Sequence, residues 1–248
     1  MEFPVKTANP VKIETACLVI PVFKDGELTP AAAKLDDASE RLIGQLIERG
    51  DFNAKLGNVQ LVPFAPGLCA DRLLLVGFGE RDKCHEGAFC KVVDAAFASL
   101  GQLTVDEVSV ALTDVPVEDR DAGWKAHKIA ESALRASYRF TDFKQESGPA
   151  PSLKTVSILL SEGEDQNAAS EGARQGAAVG QGINLARQLG NLPGNVCTPR
   201  YLASEAERLA SESDGALTTE ILDEAALEEL GAHSLLSVGH GSDEPSRL

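Results

Sequence analysis

The alternation of apolar, β-rich runs with amphipathic helical runs constrains the fold of this chain most strongly. Five runs have the composition of strands that are buried in a sheet, and they cover residues 16–23, 58–65, 72–79, 107–112 and 153–161. Strands that alternate with helices form layered, mostly parallel sheets. The sequence therefore predicts an α/β fold, with a mixed or parallel sheet and helices packed against it.

The segments between these runs have the apolar spacing of helices. Apolar side chains recur every three or four positions within residues 31–52 and within residues 86–103. A third helix is predicted around residues 123–140. Each of these helices can bury one apolar stripe against the sheet.

Two polar breaks suggest where one domain ends and another begins. The first is a proline-containing loop at residues 143–152, and the second lies at residues 161–170. We place the boundary near residue 166, so that residues 1–166 form an N-terminal α/β domain. Residues 167–248 are then a linking helix and the start of a second α/β domain, which we expect to be incomplete because about 80 residues are few for such a domain.

This second region is predicted to contain several short pieces of structure after one long helix. They are a helix at 168–189, an irregular elbow at 190–198, a helix at 200–212, a strand at 216–222, a short helix at 223–231 and a final strand-like piece that begins near His233.

Charge, apolar content and cysteine usage argue against nucleic-acid-binding, membrane and secreted proteins. The net charge is −15, which disfavours non-specific binding to nucleic acid or to an anionic membrane. No apolar run approaches the ~20 residues that cross a bilayer, and the N-terminus lacks the pattern of a signal peptide. The 5 scattered cysteines fit a reduced, cytoplasmic chain.

Two Gly-x-Gly sequences, at residues 76–82 and 238–244, are candidates for nucleotide sites. A dinucleotide fingerprint needs a third glycine three residues later, at the start of a helix. Asp82 and Glu244 occupy those positions instead. The pattern is therefore typical of ordinary turns that follow apolar segments.

Histidines and cysteines give no metal motif. His127, His233 and His240 have no ligand spacing, and Cys84, His85 and Cys90 lack the paired geometry of a zinc site. We expect these side chains to be surface residues or residues at helix starts. No spacing in the chain identifies a nucleophile.

Small residues recur every four positions in the long helix, at Ala168, Gly172, Gly176 and Gly180. Glycine destabilises a helix by roughly 1 kcal/mol relative to alanine, so another element should pack closely against this ridge. Further on, Thr198 followed by Pro199 predicts a capped helix start.

The sequence resembles a known family in this second region. The segment NLARQLGNLPGNVCTPRYLASEAERLA (184–210) is similar to the opening of the catalytic domain in the leucyl aminopeptidase, or cytosol aminopeptidase, family. The matching residues are Ala186, Arg187, Asn191, Pro193, Asn195, Thr198, Pro199 and Leu202. Residues 220–248 resemble the next stretch of that family. Residues 72–83 and 137–144 resemble parts of its N-terminal domain.

The resemblance, which is to members like the bacterial aminopeptidase A, implies a specific function. These enzymes release N-terminal residues, often leucine, from peptides with two divalent cations, zinc or manganese. Paired metals stabilise both the attacking and the leaving group in such hydrolysis. The family also implies a cytoplasmic hexamer with an N-terminal α/β domain.

The chain departs from the family pattern in one respect. The metal and catalytic residues of the family lie in a Gly-Lys-Gly run leading to Asp-Ser-Gly-Gly and in an Asn-Thr-Asp-Ala-Glu-Gly-Arg run, and neither occurs here. We therefore assign no catalytic, cofactor-binding or metal residue. The span of 248 residues is predicted to be inactive and to bind no catalytic metal.

Two alternatives remain open from the sequence. One is a non-catalytic oligomerisation or binding module. The other is a DNA-binding accessory protein, as among similar bacterial proteins, although the net charge of −15 disfavours nucleic acid as a partner.

Overall fold

The computed structural model describes residues 1–24, 26–144 and 152–248. Most of the predicted loop at 143–152 lies outside the described residues. The chain divides into two compact units, Met1–Leu185 and Ala186–Leu248. The domain boundary near residue 166 stays a prediction.

The first unit is built on one sheet. Among the described residues it has 6 strands, in the spatial order β1-β6-β5-β2-β4-β3. Every neighbouring pair is parallel except β3 with β4. The strands are β1 Val5–Thr7, β2 Leu18–Phe23, β3 Val59–Val62, β4 Leu73–Gly79, β5 Glu107–Val110 and β6 Thr155–Leu160. The predicted α/β fold with a mixed, mostly parallel sheet is confirmed, and β1 is a strand that the sequence analysis missed.

The central strands bury both of their faces. In β2, Val19 packs in one apolar cluster, whereas Leu18 and Ile20 pack in a second cluster on the other face. In β4, Leu74 and Leu75 divide in the same way. Because successive side chains of a strand point to opposite faces, a continuous apolar run fits a strand that is covered on both sides.

Four of the helices contribute most of those two coverings. The helices are α1 Pro30–Ala38, α2 Leu42–Glu48, α3 Glu86–Leu100 and α4 Ala122–Ser137. Helices α3 and α4 contribute to one cluster, and α1 and α2 contribute to the other. The stripe within 31–52 is divided between two helices because Glu40 and Arg41 have left-handed backbones, with φ of 56° and 62°.

The long helix α5 (Gln166–Asn191) packs closely on α4. A Cβ at Gly172 would overlap the backbone of Gly123, and a Cβ at Gly176 would overlap the backbone of His127. The expectation that something packs on the glycine ridge is therefore confirmed, since only a residue without a side chain allows this approach.

The second unit contains the end of α5 and three further helices, α6 Pro199–Ser211, α7 Glu224–Glu229 and α8 His233–Gly239. The predicted cap is confirmed, because the Tyr201 amide donates to the Thr198 hydroxyl at 3.3 Å. Within the elbow, the amides of Val196 and Cys197 both donate to the Pro193 carbonyl at 2.9 Å.

Two strand predictions in this unit are wrong. Residues 217–223 have no regular structure, and only Leu222 exchanges backbone hydrogen bonds with Leu248, at 2.8 and 3.1 Å. The apolar run after His233 forms helix α8 instead of a strand and buries Leu236. Periodicity does not distinguish a short strand from a short helix, which explains both errors.

Among the described helices, none combines the length and the apolar character that crossing a membrane requires.

Candidate functional site

A cavity of about 410 Å³ lies at the carboxyl edge of the sheet in the first unit. Residues after the ends of β1, β5 and β6 line it, together with the first turn of α1. After β2 the chain continues towards the edge of the sheet formed by β3, and after β5 it continues towards the edge formed by β1. In open α/β sheets, such a switch point is where ligands bind outside the carboxyl ends of the strands.

Asp114 joins two walls of this cavity. Its Oδ2 accepts a hydrogen bond from the Ala31 amide at 3.2 Å, in the first turn of α1. Its Oδ1 is buried and has no hydrogen-bond partner among the described residues. Burial raises the pKa of Asp114, while the hydrogen bonds from Ala31 and Thr29 oppose that rise.

A polar network supports the same wall. The Thr113 hydroxyl lies 2.8 Å from the Leu159 carbonyl and 2.7 Å from Glu164 Oε2. The buried Lys125 ammonium donates to the Thr113 carbonyl at 2.6 Å. Burial lowers the pKa of Lys125, and the carboxylates of Glu164 and Asp114 counteract this. The loops after β5 and β6 are thereby held together.

The Gly-x-Gly sequence at 76–82 has a structural explanation. A Cβ at Gly77 would overlap the carbonyl of Lys55, and Gly79 has a φ of +71°. These glycines allow the close passage of the segment that precedes β3. In the second unit, Gly239 of the 238–244 sequence lies against the side chain of Ser246.

The histidines are separated from one another and take local roles. His85 caps α3, since its Nδ1 accepts from the amides of Gly87 and Ala88 at 3.1 and 3.3 Å. His127 lies 3.5 Å from Glu131, and His233 lies 3.7 Å from Glu228. His240 follows the end of α8. The expectation of a helix-start role is confirmed for His85.

The described residues contain no group of three or more His, Cys, Asp or Glu side chains that could hold a metal ion. Burial raises the pKa of Cys17 to about 12 and that of Cys84 to about 11. Because the thiolate is the reactive form, these two buried thiols are poor nucleophiles near neutral pH.

None of the cavity residues was singled out by the sequence analysis. The signal that could have found them is the position of polar residues shortly after strands, as in Thr113 and Asp114 after β5 and Ser161 and Glu162 after β6. The carboxyl ends of parallel strands meet at one edge, where such residues converge.

Comparison with known proteins identifies the family. Residues 19–147 match the cytosol aminopeptidase family, N-terminal domain, and residues 184–248 match the cytosol aminopeptidase family, catalytic domain. The chain belongs to the cytosol aminopeptidase family. The resemblance stated from the sequence is thereby confirmed, and the cavity lies within the N-terminal unit of a family member.

The chain spans about half the length of the curated relatives that it matches. It is 65% identical over 249 residues to a probable cytosol aminopeptidase of Chromohalobacter salexigens, covering 100% of this chain and 49% of that protein. It is 38% identical over 248 residues to the cytosol aminopeptidase of Pseudomonas aeruginosa, covering 100% of this chain and 50% of that protein.

Solved structures agree in fold. A mutant of tomato leucine aminopeptidase superposes with a TM-score of 0.83 at 23% identity, covering 100% of this chain and 49% of the other. The bottromycin maturation enzyme BotP, in complex with Mn, gives a TM-score of 0.71 at 23% identity, covering 94% of this chain and 44% of the other.

Proposed function

We propose that these 248 residues are the N-terminal portion of a cytoplasmic, metal-dependent aminopeptidase that releases leucine and similar N-terminal residues from peptides. The match of residues 184–248 to the family's catalytic domain carries this proposal. The 65% identity to the Chromohalobacter salexigens relative supports it.

The proposal places the reaction outside this span. The enzyme would use two divalent ions, manganese or zinc, and the Mn complex of BotP supports a divalent metal in proteins of this fold. The described residues do not fit such ions, because they contain no cluster of three candidate ligands. We therefore derive no step of the hydrolysis from them, and propose that the metal and catalytic residues lie in the part of the relatives' length that this span does not cover.

The structure suggests what this span contributes. Residues 1–166 would form the N-terminal domain, and residues 167–248 would link it to, and begin, the catalytic domain. The capped start of α6 and the hydrogen-bonded turn at Pro193 fix the path of the chain between α5 and α6. A hexameric assembly, as the family resemblance implies, is part of the proposal.

The test uses the protein at the length of its curated relatives. We expect it to hydrolyse leucine amide, to lose that activity after treatment with a chelator, and to regain it when manganese or zinc is added. N-acetylleucine amide is the matched control substrate, because an exopeptidase of this kind needs a free amine. Hydrolysis of both substrates at similar rates, or activity that survives metal removal, would contradict the proposal.

A further inference from the structure

Two exposed charges of opposite sign line the cavity at the carboxyl edge of the sheet. Lys34 extends from α1, one turn after Ala31, and Glu162 follows the end of β6. Within residues 1–24, 26–144 and 152–248, neither side chain makes an ion pair with the other or with a third residue. A cation and an anion are therefore both available to a molecule in the cavity.

The cavity is preformed. Asp114 fixes the start of α1 to the loop after β5, the Thr113 hydroxyl ties that loop to the Leu159 carbonyl of β6, and Lys125 of α4 donates to the Thr113 carbonyl. Its volume of about 410 Å³ lies in the range of about 300–1,000 Å³ that is usual for small-molecule sites. A ligand would lose little affinity to ordering of the protein.

The remaining lining defines the kind of ligand. Pro10, Pro30 and Leu160 provide apolar surface between the charged groups. Asp114 and Glu162 give the cavity two carboxylates against the single ammonium of Lys34, which disfavours phosphate and other multiply charged anions. A small molecule with one amine, one carboxylate and an apolar body matches this arrangement.

We infer that this cavity binds a free α-amino acid. Lys34 pairs with the ligand carboxylate, Glu162 pairs with its ammonium group, and the proline and leucine side chains contact its aliphatic part. Binding at this cavity does not depend on the proposed peptidase activity. An inactive protein of the relatives' length would contradict the proposed function and leave this binding intact.

The experiment is a titration of the 248-residue chain with L-leucine, in which calorimetry and changes in NMR chemical shift measure binding. We expect saturable binding at one site. Leucine amide, which lacks the carboxylate, and 4-methylpentanoate, which lacks the amine, should each bind at least about tenfold more weakly, a loss typical of one charged contact.

Variants locate the site. Lys34→Gln and Glu162→Gln should each weaken leucine binding by at least about tenfold. Both side chains are exposed, so the fold should persist, which circular dichroism checks. Lys91→Gln and Glu229→Gln remove exposed charges of residues that do not line the cavity, and they should leave binding unchanged.

Three results would overturn the inference: no saturation with leucine at millimolar concentrations, unchanged binding in Lys34→Gln or in Glu162→Gln, or equal binding of leucine and its two analogues.

Discussion

The two units differ most in how much they bury. The unit Met1–Leu185 encloses its sheet between two apolar clusters. In Ala186–Leu248, every residue of which the structure describes, only Leu227, Leu236 and Ser246 are buried. Since apolar burial is the main favourable term in folding, the first unit should unfold cooperatively. The stability of the second unit should depend on helix caps and on isolated pairs of backbone hydrogen bonds.

The largest expected effect comes from emptying the core of the first unit. Phe89 is fully buried, and its ring centroid lies 6.0 Å from that of Phe78 and 5.5 Å from that of Trp124. Phe89→Ala should lower the free energy of unfolding by about 3–5 kcal/mol. Urea denaturation followed by far-ultraviolet circular dichroism measures this change.

The matched control lies in the second unit. Leu230 is 67% exposed, so Leu230→Ala should change the free energy of unfolding by less than about 0.5 kcal/mol. Similar losses in the two variants would show that the contrast in burial does not describe the stability of the units.

A second prediction tests the packing of α5 on α4. At Gly176 a Cβ would overlap the backbone of His127, whereas at Gly182 a Cβ would meet no described atom within 4 Å. Gly176→Ala should lower the free energy of unfolding by about 1–3 kcal/mol. Gly182→Ala, in the same helix, should raise it by about 0.5–1 kcal/mol, because alanine is the better helix former. Denaturation midpoints compare the two variants, and stabilisation by both would refute the close approach of the helices.

A third prediction concerns the second unit. Thr198 accepts the hydrogen bond from the Tyr201 amide at the start of α6. Thr198→Ala should destabilise α6 locally by about 1 kcal/mol. Hydrogen exchange of the α6 amides should accelerate, while the global denaturation midpoint stays constant. Thr218→Ala, at an exposed position outside the helices, is the control. A shift of the global midpoint in Thr198→Ala would mean that the second unit unfolds together with the first.

The smallest expected effect is the pH dependence that comes from Asp114. Burial raises its pKa in the folded protein, so the folded state binds this proton more tightly than the unfolded state does. Stability from this group should therefore fall as pH rises from about 4 through the raised pKa. Asp114→Asn removes this contribution.

Denaturation at a series of pH values measures that difference. Wild type should lose stability relative to Asp114→Asn across the window that begins at about pH 4 and extends through the raised pKa of Asp114. A wild type that instead gains stability relative to Asp114→Asn over this window would contradict the burial of the Asp114 carboxyl.

The central sheet could be predicted from the sequence because its strands are distinctive. The runs that contain Leu18–Phe23 and Leu73–Gly79 are apolar on both faces. This pattern is typical of a strand whose sheet is covered by helices on both sides. Likewise, the ridge that includes Gly176 predicts close packing without knowledge of the partner helix.

The cavity could not be predicted in the same way. Asp114 and Ala31 are 83 positions apart and meet only because β2 and β5 are neighbours in the sheet. The segment 216–222 failed for a different reason. Its apolar residues suit a strand, but strand formation depends on a partner, and only Leu222 finds one, at Leu248.

The most direct test of the central claim compares two forms of the protein on leucine amide with added manganese. One form is the 248-residue chain, and the other has the length of its curated relatives. We predict hydrolysis by the longer form and none by the shorter, because the proposed metal and catalytic residues lie outside this span. Hydrolysis by the 248-residue chain would contradict the account.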